Sequence, residues 1–157
     1  MRKRIIKPVQ PAAELPEDAW LDLDALAEVE VTSEDPANPI ESALLPDEQA
    51  GWRAGDTGGQ TIRLLFTEPQ RLARIWLQFL ESQSERTQEY VLRWSPDGGE
   101  SFREIVRQQW NFSPLGATAE VEDYHVDLPA VTVLELTILP DIGGKPVTAS
   151  LQAMRLA

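Results

Sequence analysis

The chain has no cysteine, which excludes disulfides and thiolate metal sites. It has one histidine, His125, too few imidazoles for a zinc centre. A Ser-His-Asp hydrolase would have to use that residue. No Gly-x-Ser-x-Gly text is present, and Ser113 and Ser150 lack the elbow context of a nucleophile. Walker and dinucleotide fingerprints are missing too. With 26 acidic residues some carboxylate pair is inevitable, so such pairs do not argue for glycoside hydrolysis. The expectation is a protein that is not an enzyme. Long apolar runs are also absent, which excludes a membrane-spanning helix. Arg2, Lys3 and Arg4 resemble the start of a secretory signal, but only Ile5 and Ile6 follow before Lys7, Pro8 and Pro11. That pattern points to the cytoplasm.

Positive charge is scarce as well. The net charge of the 157 residues is −12. Arg2, Lys3, Arg4 and Lys7 supply 4 of the 14 basic residues, so residues 8–157 hold 10 against 26 acidic ones, a net −16. Such a body repels phosphate backbones and anionic lipid, which argues against nucleic-acid and membrane partners.

What is present is strand-like text. Residues 1–26 read as an N-terminal tail or strap with Pro8, Pro11 and Pro16; within it Leu21, Leu23 and Leu26 suit a short strand or one helical turn. From residue 27 onward the spacing predicts one domain. Val29 and Val31 alternate with Glu28, Glu30 and Thr32. Residues 33–60 are rich in Pro and Gly and read as a long loop. Strands are predicted at 61–66, 73–80, 88–94, 101–110, 121–128, 131–139 and 148–156. The Ser95-Pro96-Asp97-Gly98-Gly99 run is a hairpin turn signal. A second loop is expected at 111–120. Short strands at this spacing, without helical periodicity, predict an all-β sandwich or barrel.

Val31-Thr32-Ser33 ends a first strand, and a long loop leads to Trp52. Tyr90-Val91-Leu92-Arg93-Trp94-Ser95-Pro96-Asp97-Gly98 forms a Tyr-bearing strand and its turn. Phe102 to Ile105, Leu134 to Ile138 and Ala149-Ser150-Leu151 follow. In this order, over roughly residues 27–157, the features resemble the discoidin, or coagulation-factor type C, domain and its carbohydrate-binding relatives. The resemblance implies a galactose-binding-like jelly roll of about eight antiparallel strands, with a binding face made by loops at one end. It implies no particular ligand. Many sugar-binding members hold a structural calcium near the first long loop, and Asn38, Glu41 and Asp47 are the candidates here. A late-strand Glu that commonly completes that site aligns with Ala153.

The candidate ligand residues are Gln109, Trp110, Asn111 and Phe112, together with Arg53 beside Trp52. Aromatic faces stack on the C–H face of a sugar ring, and amides bond its hydroxyls. The alternative is that Trp110 and Phe112 plug the sandwich. Under the resemblance Trp52 packs beneath its loop. Two functions follow: a non-catalytic module recognising a carbohydrate, or a cytoplasmic protein–protein interaction module within a larger complex.

Overall fold

The computed structural model describes residues 1–4 and 19–157. Two single-turn helices, α1 (Leu23–Leu26) and α2 (Glu41–Leu44), accompany eight strands. These are β1 (Ala27–Val31), β2 (Trp52–Thr57), β3 (Gln60–Leu80), β4 (Arg86–Ser95), β5 (Arg103–Phe112), β6 (Ala119–Leu139), β7 (Thr148–Leu151) and β8 (Ala153–Leu156). All the strand pairings are antiparallel. The architecture is an all-β sandwich, as the strand spacing predicted, with the jelly-roll form that the resemblance implied.

Four predicted strands prove to be two. β3 and β6 each run for 21 residues, and their mutual register shifts between Leu65 and Arg74. Pro69 and Pro129 lie at that irregularity; neither can donate to the ladder, so both strands turn a corner there. The first half of β3 pairs with β1 and with the second half of β6, which continues to β4 and β5. The second half of β3 pairs with β8 and the first half of β6. The two layers are thus continuous through the corner, and β2 with β7 forms a separate two-stranded sheet. The predicted strand at 148–156 is broken at Gln152 into β7 and β8. The region expected to be loop, 33–60, contains α2 and β2.

Alternation directs Ile62, Leu64, Leu92, Leu134 and Leu136 inward from one layer, and Ile75, Leu77, Phe79, Met154 and Leu156 from the other. Phe79 stacks on Tyr90 across the core with ring centroids 5.0 Å apart. Each such side chain contributes about 1.5–3 kcal/mol on full burial. Trp76 breaks the simple rule. It points away from this core yet is fully buried, because the second layer carries the α2 segment on its outer side. Arg155 is in register with Trp76 there, and its Nη1 donates to the Ala43 carbonyl at 2.8 Å.

The expected tail ends sooner than its composition indicated. Asp22 caps α1, Leu23 is buried in the core, and Leu21 N donates to Leu156 O at 2.8 Å. Arg74 lies over the Trp20 ring at 5.0 Å. The tail's prolines lie outside the described residues. At the far end, the β4–β5 turn closes as its residues demand. Gly98 and Gly99 adopt φ of 74° and 97°, and the Asp97 carboxylate accepts from Ser95 Oγ and Ser101 N at 2.6 and 2.9 Å. The Ser101 and Ser95 hydroxyls hold Asp97 down to about 2.

Candidate functional site at the loop end

The end opposite the Asp97 turn gathers the remaining connections. β2 ends and β3 starts there, β3 ends and β4 starts, β5 ends and β6 starts, and β6 ends before β7. Hydrogen bonds tie these loops together. Gly58 N donates to Val147 O, Glu81 N to Thr118 O, and Ile142 N to Thr87 O, at 3.2, 2.8 and 2.8 Å.

One groove opens at this end, with a volume of ≈ 640 Å³. Ser33, Glu34, Asp35, Arg53, Asp56 and Thr148 supply its polar wall. Ser33 organises the floor. Its carbonyl accepts from Trp52 Nε1 at 3.1 Å, and its hydroxyl donates to Gln60 Oε1 at 2.7 Å. The same hydroxyl accepts from Gly55 N and Asp56 N at 3.0 and 3.2 Å. Trp52 is therefore buried beneath the loop and holds it, as the resemblance implied. Gly55 permits the close approach: a Cβ there would lie 2.8 Å from the Glu34 carbonyl oxygen. Gly55→Ala is expected to cost about 1–3 kcal/mol, because the obstruction is backbone and cannot swing aside. Urea unfolding would read that loss, and a variant as stable as the wild type would disprove the fit.

Arg53 is the cation of the groove. Its Nη1 donates to Thr148 Oγ1 at 3.1 Å and lies 3.9 Å from Glu81 Oε2. Glu81 is buried and accepts from Arg86 Nη2 at 2.5 Å, while Arg86 Nη1 donates to Thr148 O at 2.8 Å. Burial lowers the Arg86 pKa, and the Glu81 charge opposes that shift. The buried Glu81–Arg86 pair thus anchors Thr148 and positions the Arg53 head. The Arg53 side chain remains 31% exposed, and Thr148 takes its one hydrogen bond among the described residues. A guanidinium has five N–H donors, so most of its capacity is open to a ligand.

Three carboxylates face it. Glu34 Oε2 accepts from Ile40 N at 2.9 Å and Asp35 Oδ1 from Ala37 N at 3.1 Å. Asp56 is exposed, and nothing among the described residues bonds its carboxylate. Beyond the groove, Leu115 stands 99% exposed on the 113–118 loop, whose base is fixed by the bond from Glu81 N to Thr118 O.

The structure divides the residues expected to meet a ligand. Arg53 lies in the groove. Residues 109–112 are not in a loop; they are the last residues of β5, and the pleat sends neighbours to opposite faces. Phe112 is 1% exposed and belongs to the core, as the plugging alternative held. Trp110 points the same way, half-buried against the core and opposite Gln88. Asn111 and Gln109 point outward. Asn111 Oδ1 accepts from Thr87 Oγ1, and Gln109 Nε2 donates to Glu89 Oε2 at 2.8 Å. The aromatic and amide members of the run therefore cannot share one sugar ring.

The calcium candidates do not converge either. Asn38 Nδ2 donates to Ala50 O at 3.3 Å, Asp47 is exposed, and Glu41 lines a different groove beside Asp24 and Glu28. Among the described residues no group of three or more His, Cys, Asp or Glu side chains is placed to hold a metal ion. The loop carbonyls of Ala43 and Leu45 instead accept from the Arg155 guanidinium at 2.8 and 3.3 Å. The residues present do not fit calcium.

Glu34, Asp35, Asp56, Glu81, Arg86 and Thr148 were missed by sequence reasoning. Only proximity in the fold identifies them.

No family model matches the chain, and no curated protein matches it in sequence. Its shape, however, is widely shared. It superposes on a CBM32 module from a family 31 glycoside hydrolase of Clostridium perfringens with a TM-score of 0.65 at 21% identity, covering 87% of this chain and 93% of that one. A C. perfringens CBM32 module in complex with GalNAc-β-1,3-galactose gives 0.62 at 19% identity, covering 88% and 99%. The CBM32 module of AlyQ, in complex with 4,5-unsaturated mannuronic acid, gives 0.62 at 15% identity, covering 84% and 95%. The chain has the galactose-binding-like, discoidin-type fold of these carbohydrate-binding modules. No helix among the described residues is long and apolar enough to cross a membrane.

Proposed function

We propose that this chain is a non-catalytic carbohydrate-binding module whose ligand enters the loop-end groove. The observation that carries the reading is the Arg53 guanidinium, fixed by Thr148 and the buried Glu81–Arg86 pair and facing carboxylates across an open groove. Donors of fixed geometry opposite acceptors are what a polyhydroxylated ring requires, since each hydroxyl both donates and accepts. The same fold carries sugars in the AlyQ and C. perfringens modules, which supports the assignment. Among the described residues the groove wall has no aromatic platform, so hydrogen bonds supply most of the affinity. Affinity in the micromolar to millimolar range follows, about 4–8 kcal/mol.

A glycan array on the purified protein, with and without calcium, tests the reading. Binding to one sugar class is expected in both buffers. Arg53→Ala should weaken that binding at least about tenfold, with little change in unfolding midpoint because its head is partly solvated. Glycan binding that survives Arg53→Ala intact would remove the groove from consideration.

A further inference from the structure

The charge of the groove decides which sugars it admits. Glu34, Asp35 and Asp56 line it against a single guanidinium, a net charge of −2. The second arginine nearby does not alter the balance, because Arg86 is buried against Glu81. Arg53 lies 3.9 Å from Glu81, whose charge Arg86 answers at 2.5 Å, so the trio of Arg53, Arg86 and Glu81 contributes +1 against the three carboxylates. The chain as a whole carries a net −12, so the field at greater distance has the same sign.

We infer that the groove discriminates against acidic sugars and takes neutral ones, with Asp35 and Asp56 as the specificity-determining residues. This rests on the carbohydrate reading above. The three carboxylates that line the groove against this one guanidinium are the decisive point. An arginine that serves a uronate carboxylate in bidentate fashion needs surroundings free of competing anions. Arg53 has Glu34, Asp35 and Asp56 around it. It can still donate to neutral hydroxyls, which carry no like-charge penalty. Asp56, with its carboxylate unbonded, is free to accept from such hydroxyls and would repel a carboxylate in the same place. The AlyQ module, in complex with an unsaturated mannuronic acid, shows that this fold does not itself forbid acidic sugars. The discrimination belongs to the side chains of this chain.

The test uses sugars matched everywhere except at C6: galactose against galacturonic acid, glucose against glucuronic acid, mannose against mannuronic acid, each as the short oligomer. Titration calorimetry at low salt should give binding of the neutral member of at least one pair, with its acidic partner about tenfold weaker or worse. At about 1 M salt, where the screening length falls to about 3 Å, the gap should shrink towards twofold. The double variant Asp35→Asn, Asp56→Asn should narrow the low-salt ratio by about fivefold. The ratio is the readout, since both residues line the groove. An acidic member that binds as well as its neutral partner, or a ratio indifferent to salt and to the double variant, overturns the inference and leaves the carbohydrate reading standing. Silence for every sugar overturns both.

Discussion

Glu120→Gln is expected to flatten the pH dependence of folding and to make the protein more stable than the natural sequence at pH 8 and above. Glu120 lies on β6 opposite Phe79 and points into the sandwich, where it is 2% exposed. Neither carboxylate oxygen finds a hydrogen-bond partner among the described residues. Burial, together with the Glu122 carboxylate two residues along the same face, pushes its pKa up to about 8 from an ordinary value of 4.5. The other titratable groups of this region are Tyr90 and Tyr124, whose hydroxyls are bonded to each other. Burial pushes both upward, Tyr124 to about 12, so both stay neutral through the physiological range.

The sign follows from linkage. A carboxyl held more easily protonated in the folded state stabilises the fold fully below its unfolded pKa. That contribution is lost as pH rises from about 4.5 to about 8. The loss is on the order of 3 kcal/mol over that window. At the acid end the opposite class takes over. Bonds from Arg74 hold the Asp123 carboxylate below its usual range, so its contribution fades as the pH drops towards its ordinary pKa and beyond. Maximum stability near pH 5 is the result expected for the natural sequence. Urea midpoints at pH 5 and pH 8 for both proteins check it. Parallel pH curves for the two would show that Glu120 is not the titrating group, and Glu122→Gln serves as the neighbouring control.

The same interior explains why part of the site was legible in the sequence and part was not. Strand positions follow from alternation, since Ile62, Leu64 and Phe66 announce one buried face in their own text. The corner in β3 and β6 was visible only as interruptions, because Pro69 and Pro129 look the same in a loop and in a bent strand. The Gln109 to Phe112 run misled for a related reason. Polar and aromatic residues alternate there, and alternation on a strand separates neighbours that a loop would bring together. Arg53 was recognisable through its place after Trp52. Its surroundings come from two further segments, Glu81 and Arg86 from the β3–β4 connection and Thr148 from β7, and no local spacing links either to Arg53.

Arg155→Met is expected to destabilise the fold by about 3 kcal/mol, while a calcium chelator leaves the unfolding midpoint of the natural protein unchanged. Arg155 is a lone charge in the final apolar strand, between Met154 and Leu156, and it is buried. Its Nη1 donates to Ala43 O and Met154 O at 2.8 and 2.9 Å, and its Nη2 to Leu45 O at 3.3 Å. No carboxylate pairs with it among the described residues, and burial lowers its pKa. The charge is answered by carbonyl dipoles alone. It thereby fastens the α2 segment over Trp76 and closes the outer side of the second layer. Methionine matches the stem but leaves the Ala43 carbonyl without a donor, while Leu45 O keeps only the bond from Glu48 N at 3.2 Å. Each buried group so orphaned costs about 1–3 kcal/mol. Arg155→Lys retains a charge but not the planar fork that reaches carbonyls on two different residues of the loop, so it should recover only about half of the loss. Urea unfolding of the two variants, run beside the natural protein with and without chelator, separates the possibilities. A midpoint that falls on chelation would mean that a divalent ion, and not this guanidinium, holds the loop. Equal stability of the methionine variant would mean that the loop holds itself. The expected order, natural protein above lysine above methionine with chelator silent, assigns to one side chain of the last strand the cationic role that sugar-binding members of the discoidin class, by the resemblance drawn from the sequence, commonly give to calcium.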